Sequence, residues 1–174
     1  MHELSELLAR ATAAVESGYF HLSLAGANPV YRERVYCYEL YHQLRVVWPD
    51  NSHYRLNGEV DKAAHPILKF MGVGRAKPDL LVHRPGYMEG NNTIIEVKSS
   101  SAAKRGIKKD LNTLGRFRTV VGYERGIYLI YGADAPRTAE WVRHIAQEPG
   151  GLPPIELWVH KTAGQAAVQV GILP

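Results

Sequence analysis

The stretches KPDLLV (77–82) and TIIEVK (93–98) decide how this chain folds. Each reads as a short apolar strand, and each carries charge: Asp79 in the first, Glu96 and Lys98 in the second. An uncompensated buried charge is costly, so such groups are paired or bound to a metal. The segment between the runs, RPGYMEGNN (84–92), is rich in turn formers, which predicts an antiparallel hairpin. Side chains alternate along a strand, so Glu96 and Lys98 share one face while Ile95 and Val97 take the other. Antiparallel pairing then brings Asp79 close to Glu96 and Lys98.

Two carboxylates a few ångströms apart repel one another and partly protonate. A Mg²⁺ ion, which takes hard oxygen ligands and keeps several waters, removes that conflict. The neighbouring lysine can orient, or help deprotonate, a metal-bound water, and it can neutralise charge building on a phosphate. The set therefore points to metal-assisted phosphodiester hydrolysis. The plainer alternative is a buried Asp–Lys ion pair that closes a hairpin. Glu96-Val97-Lys98 is the one Glu-x-Lys in the chain; it ends an apolar strand, and a basic helix follows it directly.

Working outward, residues 3–17 space their apolar side chains as a helix, with Gly18 as its stop, and SLAGANPVY (23–31) reads as a loop. Residues 32–47 form a second helix, closed by WPDN. HYRLNGEVD (53–61) alternates as a strand with Gly58 as a candidate bulge. Ile107, Leu111, Leu114 and Phe117 give 102–118 an apolar stripe. A buried strand (126–133), a helix with Pro in its first turn (136–148) and two strands, IELWVHK and AAVQVGI, complete the order. The expected fold is an α/β domain with a mixed sheet, because the early strands have short connections. One domain spans 1–174: an N-terminal helix and loop (1–31), a core (32–133) and C-terminal helix and strands (134–174).

Length, charge and cysteine content narrow the field further. The chain has 174 residues, enough for a core without disulfides, and its single cysteine, Cys37, excludes an internal disulfide and a Cys-based zinc cluster. That fits a reducing cytoplasm. No apolar run suits a bilayer, and the start lacks a signal-peptide pattern. Between Lys104 and Arg118 stand six basic residues against one acid, Asp110, so this segment carries the whole positive balance of a chain with net charge +4. Lys104, Arg105, Lys108 and Lys109 are therefore the candidate phosphate-gripping residues. GVGRAK (72–77) lacks the Lys-Ser/Thr ending of a phosphate loop and reads as a turn. The eight histidines are scattered, with His42 a helical turn from Glu39. Tyr36, Tyr38 and Tyr41 are assigned to core packing, and Trp141 and Trp158 to core or boundary positions.

Pro78-Asp79 and Glu96-Val97-Lys98, in this order and setting, resemble the PD-(D/E)XK nuclease superfamily. Residues 33–133 also follow its α-β-β-β-α-β order. The resemblance implies a restriction-endonuclease-like core and a Mg²⁺- or Mn²⁺-dependent nuclease, in the first place an endonuclease on DNA. It implies Asp79, Glu96 and the backbone carbonyl of Val97 as metal ligands, and Lys98 acting on the water. Many members add a glutamate from the first core helix; Glu39 is the candidate, Glu59 its rival, and Glu33 is assigned to the helix dipole. A homodimer or larger assembly would supply specificity, in a defence, restriction or DNA-repair setting. A non-catalytic nucleic-acid-binding module on the same fold is the alternative. A small-molecule α/β enzyme ranks last, since no cofactor loop or nucleophile constellation is present.

Overall fold

The computed structural model describes residues 2–58, 72, 77–87, 89–147 and 151–174. Its elements are α1 (His2–Ala13), α2 (Ser17–Phe20), β1 (Leu22–Leu24), β2 (Ala27–Val30), α3 (Glu33–Val47), β3 (Arg55–Gly58), β4 (Leu80–His83), β5 (Asn91–Ser99), α4 (Lys104–Arg116), β6 (Arg125–Tyr131), α5 (Ala135–Ala146), β7 (Ile155–His160) and β8 (Val168–Leu173). Strands β3 to β8 form one sheet in sequence order. The β3–β4, β4–β5 and β7–β8 pairs are antiparallel, and β5–β6 and β6–β7 are parallel. The sheet is mixed, as the short early connections required.

Strand parity divides the core. Ile95 and Val97 of β5, with Ile127, Leu129 and Tyr131 of β6, pack against Leu4 and Leu8 of α1 and Leu40 and Leu44 of α3. Ile94, Tyr128 and Ile130 face the other way, onto Ile107, Leu111 and Leu114 of α4 and Val142 of α5. Helices thus cover both faces of the sheet, and β5 is buried along most of its length. Glu96 and Lys98 share the parity of Ile94, so they point to the α4 side.

On the α3 side, α2 delivers Phe20 edge-on to Tyr36, Tyr131 and His160. Tyr36 stacks on Tyr131 at 3.9 Å between ring centroids, and its hydroxyl lies 2.6 Å from His160 Nδ1. Burial pushes the His160 pKa down to about 4, so the ring is neutral, and burial keeps the Tyr36 phenol protonated as well.

Several boundaries differ from expectation. The first helix ends at Ala13, and Gly18 lies inside α2 instead of stopping α1. The stretch read as a loop contains the β1–β2 hairpin, turned at Gly26 with φ +73°. Its strands are short, largely exposed and contain Pro29, so they show no apolar alternation to read. Helix α4 continues as a π-helical turn, Phe117–Val121, ended by Gly122 at φ +84°. Trp158 is buried, but Trp141 is exposed. The far ends of the 53–61 strand and the 136–148 helix, and all of GVGRAK except its ends, lie outside the described residues. No helix among the described residues is long and apolar enough to cross a membrane.

One ion pair ties the far end of the sheet to α1. Arg125 reaches Glu156 through two hydrogen bonds, 2.7 and 2.8 Å, and Ser5 Oγ at 3.0 Å. Trp158 Nε1 donates to the same carboxylate at 3.1 Å. Burial alone would raise the Glu156 pKa, but the Arg125 and Trp158 hydrogen bonds outweigh it and hold the group below its ordinary value. A depressed carboxylate stabilises the fold above its ordinary pKa and loses that contribution as the pH falls through the folded value. Glu156→Gln should therefore lower unfolding free energy by about 2 kcal/mol at neutral pH. The gap should close in acid, as the pH falls below the lowered Glu156 pKa. Urea unfolding of both proteins at the two pH values reads this directly; a pH-independent gap would contradict it.

Candidate active site

The β4–β5 ladder pairs Leu80 with Ile95 and Leu81 with Ile94. Continuing that register sets Asp79 across from Glu96 and Pro78 across from Val97. Proline has no N–H and cannot complete a ladder. The strand pairing stops there, and Asp79 takes over: its Oδ2 accepts the Val97 N–H at 2.8 Å. The Pro-Asp pair therefore ends one strand and fixes a carboxylate beside Glu96 in the same step.

Glu96 is 5% exposed. Burial pushes its pKa well up, and the neighbouring charges of Asp79 and Asp110 push the same way. Asp79 is pushed up to about 6, first by burial, with the Val97 N–H pulling back. Each carboxyl acts on the other's titration, the Asp79 charge helping to hold the Glu96 proton, as in a crowded acid pair.

Lys98 leaves this pair to one side. Its Nζ lies 3.0 Å from Glu33 Oε1 and 2.9 Å from Asp110 Oδ2, joining the first turn of α3 to the middle of α4. Lys98 and Asp110 are 14% and 7% exposed as side chains, against 37% for Glu33. Burial would lower the Lys98 pKa, but the Asp110 hydrogen bond and charge, joined by Glu33, outweigh it and leave the pKa raised. Lys98 is a fixed ammonium. It can stabilise negative charge, but it has no lone pair with which to take a proton from water.

These groups line a cavity of about 610 Å³ at the end of the sheet where β3, β4 and β5 stop. Glu33, Asp79, Glu96, Lys98 and Asp110 form its charged lining, while Arg34, Lys77 and Lys109 contribute cations. Cys37 also faces it; burial and the nearby Asp79 carboxylate push its thiol well up, so it stays protonated.

Asp79, Glu96 and Lys98 are thus brought together. Glu39 is not among the cavity residues: it is buried elsewhere on α3 and accepts a hydrogen bond from Gln43 at 2.7 Å. Six residues separate it from Glu33, which turns it well away around the helix. The α3 glutamate in the site is Glu33, whose partner is Lys98 and not only the helix dipole. Glu59 lies outside the described residues, and His42 stands away from the cavity. Lys104, Arg105, Lys108 and Lys109 are exposed on α4, and of these Lys109 reaches the cavity. Asp110 is a site residue that sequence reasoning missed. The signal was there: it sits three residues after Ile107, on the stripe with Leu111 and Leu114, where an acid must find a partner. Tyr38, assigned to the core, is 62% exposed at the cavity.

Among the described residues no cluster of three or more His, Cys, Asp or Glu side chains is arranged to hold a metal. The acid pair is a two-carboxylate site, which suits an ion that keeps most of its waters. No protein-family profile, curated protein or solved structure matches the chain.

Raised carboxyl pKa values mean that the folded state holds protons the unfolded chain has released. The pair therefore costs stability as the pH rises from the ordinary carboxyl range through about 6. Glu96→Gln should flatten that loss and raise the melting temperature at pH 8 by a few degrees, roughly 1 kcal/mol. The difference should vanish near pH 4–5. Thermal unfolding in chelator at both pH values is the measurement; a variant that melts lower at pH 8 would show that the pair is not crowded.

Proposed function

We propose that this protein is a Mg²⁺-dependent deoxyribonuclease with a PD-(D/E)XK-like core. One observation carries the reading: Asp79 and Glu96 crowd together in a cavity with their pKa values raised, beside an ammonium held by other carboxylates. A buried pair of carboxyls whose pKa values stay raised despite the nearby Lys98 charge fits a divalent ion. Asp79 and Glu96 would hold it, with the Val97 carbonyl a further candidate. Bound there, it would supply Lewis-acid polarisation and a lowered water pKa.

The chain's own residues do the rest. Val97 N–H fixes the Asp79 carboxylate, and Asp110 and Glu33 fix the Lys98 ammonium. Lys98 serves as a permanent positive charge toward a phosphate whose negative charge builds in the transition state. Hydrolysis adds water oxygen to phosphorus and breaks one phosphorus–ester oxygen bond, with the leaving oxygen taking up a proton. Lys98, held as an ammonium by Asp110 and Glu33, cannot accept the proton of the attacking water. The exposed cations of α4 supply a backbone grip next to the cavity. A non-catalytic nucleic-acid-binding module is the second reading; what favours it is that both Lys98 ion pairs are already satisfied within the protein.

Supercoiled, linear and single-stranded DNA, with and without Mg²⁺ or Mn²⁺, test the activity. Wild type should cut only with the ion, and Asp79→Ala and Glu96→Ala should abolish cleavage. Lys98→Ala should lose about 10²–10³-fold in kcat with KM little changed. Lys98→Arg should not rescue, because a planar guanidinium presents its donors differently. Wild-type rates from Asp79→Ala would sink the assignment. A calorimetric Mn²⁺ titration, abolished in Glu96→Ala, reads the metal site without turnover.

The α4 grip has its own measurement. Replacing Lys104, Lys108 and Lys109 by Gln should weaken DNA binding irrespective of sequence. It should also flatten the slope of log affinity against log salt by roughly one unit for each phosphate that is no longer neutralised. Identical slopes would remove α4 from the interface.

A further inference from the structure

Helix α3 turns one continuous stripe toward the cavity: Arg34, Cys37, Tyr38 and Tyr41 stand at i, i+3, i+4 and i+7. The two tyrosines on it are placed differently. Tyr41 is partly buried, packs against the core and lies beside Gly58, so it is a fixed wall. Tyr38 is 62% exposed. Among the described residues no aromatic ring stacks on it and no hydrogen bond holds its hydroxyl. A single exposed aromatic ring needs no explanation by itself. Tyr38 differs in lining the same cavity as the acid pair, whose lining also includes Arg34, Lys77 and Lys109.

The cavity's dimensions decide what can use that ring. At about 610 Å³ it lies in the range of sites that enclose one small-molecule-sized unit. Glu96, at 5% exposure, can be reached only by a group that enters. A base locked in a duplex stack offers no free face to a side chain, whereas an unpaired base does. Phosphate attached to that base would meet the cations of the lining.

On these grounds we propose that the cavity takes one unpaired nucleotide, its base stacked on Tyr38, so that the substrate class is DNA with unpaired residues, above all single strands. This rests on the nuclease reading and deepens it. Tyr38 is then a specificity-determining residue: it selects the strand presented to Asp79 and Glu96 and takes no part in bond breaking.

The test separates the two claims. Binding is measured by fluorescence anisotropy in chelator, on Glu96→Gln protein, with a single-stranded oligonucleotide carrying 2-aminopurine and with the matching duplex. Tyr38→Ala should weaken single-strand binding about 10-fold and abolish quenching of the 2-aminopurine. Tyr38→Trp should retain both. Duplex affinity, set by phosphate contacts, should change less than about two-fold. Equal single-strand affinity in Tyr38→Ala, an equal loss on duplex, or failure of Trp to retain binding would overturn the proposal. Cleavage by the wild-type protein with Mg²⁺ is scored in parallel. Tyr38-dependent single-strand binding without cleavage would keep this inference and remove the nuclease reading. Cleavage without Tyr38 dependence would do the reverse.

Discussion

Four carboxyls and one ammonium meet at the end of the β4–β5 pair, and most of the architecture is bent to accommodate them. Charge buried away from water must find a partner or give up its proton. Lys98 takes two partners, one from α3 and one from α4, so helices on opposite faces of the sheet are joined through a side chain at the strand end. Asp79 and Glu96, buried side by side, both hold their protons more tightly than an ordinary carboxyl does. The ion pair and the acid pair thus divide the labour. One is satisfied within the protein and holds the walls together; the other keeps its carboxyl pKa values raised.

The division also explains why the two charged strands need their particular neighbours. Pro78 stops the β4 ladder one residue before the acid, and the Val97 N–H left over is what orients Asp79. Moving either residue by one position would flip the carboxylate to the α3 face of the sheet, among Leu40, Leu44 and Val97.

Much of this was legible in the sequence, and the reasons differ by element. Strands β4 and β5 announce themselves through apolar runs around a turn-rich segment, and their period of two fixes which charges share a face. Helix α4 shows its stripe plainly. What failed was helix phase near the site. Two glutamates on α3 are equally plausible until the crossing of α3 over the end of β5 is known, and that crossing depends on packing among Leu40, Leu44 and Leu8. Tyr38 escaped for the same reason. The β1–β2 hairpin was unreadable because neither of its faces is buried enough to impose a pattern. Asp110 was legible in principle, as an acid on an apolar stripe, but its basic neighbours masked it.

The long parallel crossover from β5 to β6 has a consequence for the chain as it is made. Both partners of the unfinished sheet's growing edge arrive late, since α4 and β6 follow β5 in sequence. Until they dock, β5 is an open edge rich in Ile and Val, the kind of strand that recruits other chains. Glu96 and Lys98 then stand uncovered on that strand, interrupting its apolar run with charge, as residues flanking an unavoidable apolar strand often do. The same side chains that burden the finished fold with desolvation keep the unfinished strand from being wholly apolar.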